Sequence, residues 1–276
     1  MLCFVLRSRV PARWAAAALT LPVAGLLLAG GCATRPSLPA PLALSHTSLL
    51  QDDLVAELPA GRVTFDLFLP DEPGPRPLVV IVHGFSRSKT HMRNWGQHLS
   101  ALGYVAAVPT MPTLADHRRN ATSIPQLVTF LTQQYPEQID PGRVGLLGFS
   151  AGGLSTFLAA ADDPRVKVWV GLDPVDRRGW TEQAAQRFTA AAVILMAEPS
   201  PCNANGNARG LAEALGGRAE LHLIPGATHT DPEWPTDALA EWACGKSDEG
   251  RRQQFVRLAV AAVQRALPVD APRPAP

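Results

Sequence analysis

The chain has 276 residues, of which 46% are hydrophobic and 18% are charged, and its formal net charge is +1. This apolar content excludes an intrinsically disordered chain and is typical of a well-cored globular protein with one large domain or two small ones. Because the net charge is near zero and no basic tract is present, the composition argues against a nucleic-acid partner.

The N-terminal segment has the pattern of an export signal. Arg7, Arg9 and Arg13 precede an apolar stretch that ends in the sequence LLLAGGC. A positive segment, an apolar segment and small residues are features of a cleaved signal peptide. The ending resembles a bacterial lipoprotein signal, which implies cleavage after residue 31 and attachment of lipid to Cys32. We therefore expect a lipid-anchored protein of the bacterial cell envelope, at the outer membrane and facing the periplasm. The alternative is an uncleaved anchor, because Trp14–Thr34 is just long enough to span a bilayer of ~30 Å.

Pro-rich stretches flank the remaining sequence. We interpret residues 32–45 as an extended tether, residues 46–268 as the folded domain and residues 269–276 as a disordered tail. Within the domain, Cys202 and Cys244 form an even pair in a chain predicted to enter an oxidising compartment, which predicts a disulfide. The alternative is a pair of unrelated buried thiols.

Strand and helix patterns alternate through the domain. An antiparallel pair of strands on either side of residues 59–61 comes first. Six apolar runs follow, separated by helix-sized segments such as SIPQLVTFLTQQYP: PLVVIVHG, YVAAVPTMP, RVGLLGFS, VKVWVGLDP, AAVILMAEP and AELHLIPG. This alternation predicts an α/β fold with a mostly parallel central sheet and helices on both faces. Ligands bind such sheets beyond the carboxyl ends of the strands, so we expect the site there.

The third of these runs ends in Gly148-Phe149-Ser150-Ala151-Gly152, directly before a helix-like segment. A G-x-S-x-G sequence between a strand and a helix indicates a nucleophile elbow, a sharp turn that exposes the serine Oγ. A side chain at either glycine position would collide with the neighbouring strand or helix. We therefore predict Ser150 as the nucleophile, and the Ala151 N–H at the helix start as a donor to developing negative charge.

A serine hydroxyl is a weak nucleophile unless a base accepts its proton. Chain order after such an elbow is serine, acid, histidine, and His229 is the last histidine, just beyond the sixth run. We predict His229 as the general base. The chain has no H-E-x-x-H sequence and no Cys–His cluster at ligand spacing, so we expect neither a catalytic metal nor a cofactor.

Three residues are candidates for the acid that orients the base. Asp173 ends the fourth run, Asp176 lies one turn later, and Glu198 follows the fifth run. A carboxylate is needed to fix the imidazole tautomer and to stabilise the imidazolium, and either strand end can reach the base. We favour Asp173 and leave the other two open, since each could instead be a helix cap or a surface carboxylate.

The end of the first run supplies a second predicted oxyanion donor. The strand ends in His83-Gly84, and the next backbone N–H, that of Phe85, would point with that of Ala151 to the tetrahedral oxygen. His83 is interpreted as a loop-bracing residue. Phe85 and Phe149 either line an apolar substrate wall or pack in the core. Residues 110–125 form a candidate lid loop.

Residues 60–265 resemble the chlorophyllase and polyester-hydrolase branch of the α/β-hydrolase superfamily, which is similar to dienelactone hydrolases. The segments that carry the resemblance are HGF, GFSAGG, GLDPVD, PSPCNANGN and GATHTDPEW. Resemblance to chlorophyllases implies Asp173 as the acid, whereas polyester hydrolases have an Asp after the next strand, which this chain lacks. Phe149 and Ala151 stand where chlorophyllases have His and Arg, which argues against a tetrapyrrole ester as substrate.

We therefore expect a serine hydrolase that cleaves small or apolar carboxylic esters through an acyl-enzyme intermediate. The same triad can cut other acyl bonds, so a peptidase or thioesterase is the alternative within the enzymes. A non-catalytic envelope lipoprotein that binds a ligand is the alternative outside them. The presence of every expected group, from nucleophile to oxyanion donors, argues against that second alternative.

Overall fold

The structure, a computed structural model, describes residues 49–269. The predicted signal at 1–31, the lipidation site Cys32, the tether at 32–45 and residues 270–276 of the tail lie outside the described residues, so these assignments stay predictions. No helix in the described part of the chain combines the length and the hydropathy that a membrane crossing requires.

Eight strands form one sheet in the described part of the chain. They are β1 (Leu49–Leu58), β2 (Gly61–Leu69), β3 (Arg76–Val82), β4 (Val105–Thr110), β5 (Ile139–Phe149), β6 (Val166–Leu172), β7 (Ala191–Met196) and β8 (Ala219–Leu223). Their order in the sheet is β1-β2-β4-β3-β5-β6-β7-β8. The first two strands pair antiparallel as a hairpin, β2 pairs antiparallel with β4, and all pairs from β4 to β8 are parallel. The predicted mostly parallel sheet is confirmed.

Helices cover both faces of the sheet because the central strands are apolar on both sides. The helices are α1 (Arg93–Ser100), α2 (His117–Gln134), α3 (Ala151–Asp162), α4 (Trp180–Ala184), α5 (Ala208–Leu215), α6 (Ala238–Cys244) and α7 (Glu249–Ala266). In β3, Leu78 and Val80 pack into the core beside α2, α3 and α5, whereas Val79 and Ile81 pack into the core beside α1 and α7.

Helix α2 corrects the predicted lid loop. The helix begins at His117, so residues 117–125 of the candidate lid are helical and only the short segment before them is a loop. The Asp116 side chain caps the helix by accepting a hydrogen bond of 3.0 Å from the Arg119 N–H. Pro125 lies inside the helix, although a proline is usually confined to the first turn. The interpretation of residues 117–125 as a loop was therefore wrong.

Candidate active site

The turn between β5 and α3 holds Ser150 in a strained backbone conformation. Its φ of 52° and ψ of −123° lie outside the regions that residues with side chains usually adopt. Neighbouring loops fix this turn, because the Ser150 N–H donates to the Leu172 carbonyl at 3.1 Å and the Ser150 carbonyl accepts from Val175 N–H at 3.0 Å. The conformation aims Oγ into the cleft beyond the carboxyl ends of the strands.

Both glycines of the turn are required because neighbouring backbone atoms lie where a Cβ atom would be. A Cβ at Gly148 would lie 2.5 Å from the Gly152 carbonyl oxygen and would also strike the Thr156 hydroxyl in α3. A Cβ at Gly152 would lie 2.6 Å from the Val82 carbonyl oxygen at the end of β3 and closer still to that of His83. The structure thus agrees with the expectation that a side chain at either glycine would collide with its neighbours.

The structure brings Ser150, His229 and Asp173 into one hydrogen-bonded chain. His229 Nε2 lies 2.9 Å from Ser150 Oγ, and His229 Nδ1 lies 2.6 Å from Asp173 Oδ2. Since an ionised carboxylate only accepts, we assign the proton of the neutral ring to Nδ1, which leaves Nε2 free to accept the serine proton. All three residues are buried, with Asp173 only 1% exposed.

Asp173 is held by donors on three sides. Besides His229, the Ala197 N–H donates to Oδ1 at 3.0 Å, and the Asn203 side-chain amide lies 3.1 Å from Oδ2 and 3.3 Å from Oδ1. The same amide donates to the Glu198 carbonyl at 2.9 Å. Asn203 was missed by the sequence analysis, and only its place in the loop after β7 could have suggested a role.

The two other candidate acids do not contact His229. The Asp176 carboxylate accepts from the backbone N–H groups of Arg178 and Thr181 at 2.8 and 2.7 Å, so it caps the turn before α4. The Glu198 carboxylate accepts from the Gly226 N–H at 3.2 Å. Asp176 therefore has the capping role that the sequence left open, whereas Glu198 braces a loop.

A buried carboxylate that the sequence analysis also missed braces the loop that carries His229. Asp231 is fully buried, accepts from the Thr228 N–H at 2.7 Å and forms an ion pair of 2.7 Å with Arg251 of α7. On its other side the His229 ring packs against Phe149, with the two ring centroids 4.9 Å apart. These contacts hold the imidazole in place before any substrate binds.

The loop after β3 presents the second predicted oxyanion donor. The N–H groups of Phe85 and Ala151 donate to no other group within residues 49–269. The His83 ring bridges two strand ends, because Nδ1 donates to the Gly84 carbonyl at 2.8 Å and Nε2 accepts from the Met111 N–H at 3.0 Å. Burial lowers the pKa of His83 to about 4, so this ring stays neutral and acts as a brace.

A cleft with a volume of about 520 Å³ opens above Ser150. This size lies within the usual range for small-molecule sites. Phe85, 56% exposed, and Phe149, only 3% exposed, both line the cleft, so Phe149 packs in the core and also contributes to the wall. Among residues 49–269 no group of three or more potential ligand side chains could hold a metal ion.

One disulfide and one ion pair connect segments around the cleft. The predicted disulfide between Cys202 and Cys244 is present, with its Cα atoms 5.7 Å apart, and it ties the loop after β7 to the end of α6. Arg87, in the loop after β3, forms an ion pair of 2.7 Å with Glu233, which lies beyond His229. The loop that carries Asn203 is thus tied to α6, and the loop of the predicted oxyanion donor is tied to the loop of the predicted base.

Curated proteins match parts of this sequence. A bis(hydroxyethyl) terephthalate hydrolase from Streptomyces coelicolor is 26% identical over 187 residues, which cover 64% of this chain and 60% of that protein. Chlorophyllase-2 from Arabidopsis thaliana is 25% identical over 128 residues, which cover 41% of this chain and 40% of that protein. The chain thus spans only about half the length of the curated relatives that it matches.

The crystal structure of a dienelactone hydrolase from Anabaena variabilis shares the fold. It superposes with a TM-score of 0.62 at 19% sequence identity, covering 80% of this chain and 99% of that one. The predicted α/β-hydrolase fold is confirmed. A family model described as PET hydrolase-like matches residues 54–203, a span of more than half the chain that includes Ser150 and Asp173 and ends before His229. The chain therefore belongs to the PET hydrolase-like family.

Proposed function

We propose that the protein is a serine hydrolase that cleaves carboxylic esters through Ser150, His229 and Asp173. The observation that supports the proposal is the unbroken pair of hydrogen bonds, 2.9 and 2.6 Å long, from the serine through the imidazole to a buried carboxylate. Three such groups in this order activate a hydroxyl that is otherwise a weak nucleophile. The ester hydrolases among the relatives support the choice of bond.

In the first half-reaction, Ser150 Oγ attacks the ester carbonyl carbon while His229 Nε2 takes the hydroxyl proton. The negative charge that develops on the carbonyl oxygen is bound by the N–H groups of Phe85 and Ala151. The tetrahedral intermediate collapses when His229 gives its proton to the leaving alcohol. The products of this half-reaction are the free alcohol and an acyl group on Ser150.

In the second half-reaction, a water molecule loses a proton to His229 and attacks the acyl carbonyl. Collapse of the second intermediate releases the carboxylic acid and returns the proton to Ser150. Asp173 stays ionised throughout and stabilises the imidazolium form of His229 in both steps. Because Asp173 is 1% exposed, its charge acts in a region of low effective dielectric.

Replacement of the nucleophile tests the proposal. Ser150→Ala should abolish turnover of 4-nitrophenyl butyrate and labelling by a fluorophosphonate. Ser155→Ala is the matched control, because Ser155 is also buried, lies one turn later in α3, and its hydroxyl only donates to the Ala151 carbonyl. Full turnover by folded Ser150→Ala would refute the proposal, and a wild type without turnover or labelling would indicate a binding protein.

We also propose that the mature protein is anchored in a bacterial envelope by lipid on Cys32. The support is the sequence ending LLLAGGC after a positive and then apolar segment. Cells fed with labelled palmitate should incorporate label into the wild type and not into Cys32→Ala. Equal labelling of both chains would contradict this proposal without affecting the hydrolase assignment.

A further inference from the structure

We infer that the preferred substrates are esters whose acyl part is aromatic or apolar and ends in a carboxylate, such as a monoester of an aromatic dicarboxylic acid. Arg177 and Arg178 would bind that distal carboxylate. This inference rests on the proposed ester hydrolysis and adds a substrate class to it.

The two arginines line the same cleft as Ser150, in the loop between β6 and α4. Both are exposed, and within residues 49–269 neither forms an ion pair with a carboxylate. Arg177 uses one N–H to donate to the Pro201 carbonyl at 3.0 Å, which ties its guanidinium to the loop that follows β7. A guanidinium has five N–H donors, so most of the donors of both residues remain available to a ligand.

The other ionisable side chains that line the cleft either have charged partners or carry little charge. Arg87 forms ion pairs with Glu233 at 2.7 Å and with Asp237 at 3.0 Å. The Glu233 side chain is 1% exposed, so it presents almost no negative charge to a ligand. Burial lowers the pKa of His117, so this ring carries little charge at neutral pH. The accessible charge in the cleft is therefore that of Arg177 and Arg178.

Asp176, which directly precedes the two arginines in the sequence, forms no ion pair with either of them within residues 49–269. Its two carboxylate oxygens accept from the Arg178 and Thr181 N–H groups and from the Thr181 hydroxyl. These bonds hold the carboxylate against the backbone of its own turn, and Asp176 is not among the residues that line the cleft.

An aromatic side chain in the cleft wall favours a flat acyl group beside the arginines. Trp180 lines the cleft with the apolar side chains of Leu154 and Val175. The guanidinium carbons of Arg118 and Arg178 lie 4.3 and 6.0 Å from the Trp180 ring centroid. Contacts of this kind hold the ring and the arginine beside each other. A benzene ring with a carboxylate in the para position would combine both kinds of contact.

The geometry of the partners fits this ligand class. A guanidinium can bind a carboxylate through two parallel N–H···O bonds, which orients the ligand as well as attracting it. Exposed ion pairs are weak, so we expect each arginine to contribute only a few-fold to binding. The pair should therefore determine preference among esters, while the rate of bond cleavage remains set by Ser150 and its partners.

Two substrates of nearly the same shape separate charge from size: mono(4-nitrophenyl) terephthalate and 4-nitrophenyl 4-carbamoylbenzoate. The first carries a distal carboxylate and the second a carboxamide in its place. The rate of spontaneous hydrolysis of each ester is used to correct kcat/KM for the difference in intrinsic reactivity. We expect the wild type to favour the carboxylate. In Arg177→Gln/Arg178→Gln, kcat/KM for the carboxylate ester should fall about tenfold because KM rises. The kcat/KM for the carboxamide ester should change by less than about twofold.

Arg62→Gln/Arg257→Gln is the matched control, because it removes the same total charge at two exposed arginines that do not line the cleft. It should leave the preference unchanged. The wild-type preference should also shrink in about 1 M NaCl, where the Debye length is ~3 Å.

The outcomes distinguish this inference from the proposed function. Equal wild-type kcat/KM for the two esters, or an equal loss for both in Arg177→Gln/Arg178→Gln, would overturn the inference and leave the hydrolase assignment standing. Hydrolysis of 4-nitrophenyl butyrate without hydrolysis of either aromatic ester would also overturn it. Turnover that survives in Ser150→Ala would instead overturn the proposed function.

Discussion

Replacing Asn203 by leucine removes the amide that holds Asp173 and keeps a similar side-chain volume. Asn203 is 1% exposed, and its NH2 group donates to both Asp173 oxygens, at 3.1 and 3.3 Å. In Asn203→Leu, Asp173 would keep only the Ala197 N–H and His229 as donors. A hydrogen bond to a charged group contributes about 1.5–3 kcal/mol. Since ~1.4 kcal/mol is tenfold in rate, kcat should fall roughly 10- to 100-fold.

Leucine also removes an acceptor from the loop after β7. The Asn203 Oδ1 atom accepts from the Ser200 and Gly206 N–H groups at 2.8 and 2.9 Å. A buried donor left without a partner costs about 1–3 kcal/mol, so the free energy of unfolding should fall by about 3 kcal/mol. Activity is therefore compared at a temperature where circular dichroism shows every variant to be folded.

Asn203→Asp separates the two effects, because it retains an acceptor for the loop and removes the donor to Asp173. Two carboxylates ~3 Å apart repel by about 5 kcal/mol at an effective dielectric constant of ~20, which would disturb the acid directly. We expect both variants to lose kcat with little change in KM, because Asn203 does not line the cleft.

Asn207→Leu is the control for this experiment, since Asn207 lies in the same loop and its side chain bonds only to the backbone of Asp176. It should retain kcat. A folded Asn203→Leu enzyme with kcat within about twofold of the wild type would refute the positioning role.

Three further predictions concern stability. The pKa of His83 is lowered to about 4 in the folded chain, so below pH 6.5 the unfolded chain binds more protons than the folded chain. The free energy of unfolding should therefore fall by about 3 kcal/mol between pH 6.5 and pH 4. Urea unfolding should show this loss, and an equal loss in His83→Gln would contradict it. Gly152→Ala should lower the free energy of unfolding by about 3 kcal/mol or more, because its Cβ meets the Val82 carbonyl oxygen at 2.6 Å; an unchanged thermal midpoint would show that the turn can relax. Paired Cys202→Ser and Cys244→Ser substitutions should cost about 4 kcal/mol, given the sequence separation of 42, and two titratable thiols in the oxidised, denatured wild type would contradict the disulfide.

The elements that carry a strong local signal could be predicted from the sequence. The runs around Leu78 and Leu146 are apolar on both faces, so they indicated central parallel strands. The G-x-S-x-G turn indicated Ser150 because close approach of strand and helix excludes side chains at both glycines. Chain order then indicated His229, and the structure places its ring 2.9 Å from the serine.

The features that depend on tertiary contacts were only partly predictable. The sequence favoured Asp173 and left Asp176 and Glu198 open, because all three lie near strand ends and the loop conformations decide which one reaches His229. Asn203 is one of several loop asparagines, and nothing local distinguishes it from Asn207. Helix α2 also began earlier than expected, because the cap at Asp116 outweighs the penalty of an internal proline.

The most direct test of the account is the mass of the protein after reaction with a fluorophosphonate, followed by peptide mapping of the adduct. A hydroxyl that shares its proton with a fixed imidazole should take up one phosphonyl group, and the modified residue should be Ser150. The label should be absent from Ser150→Ala and strongly reduced in His229→Ala. An adduct on a different residue, or undiminished labelling of His229→Ala, would contradict the claim that these two side chains act together.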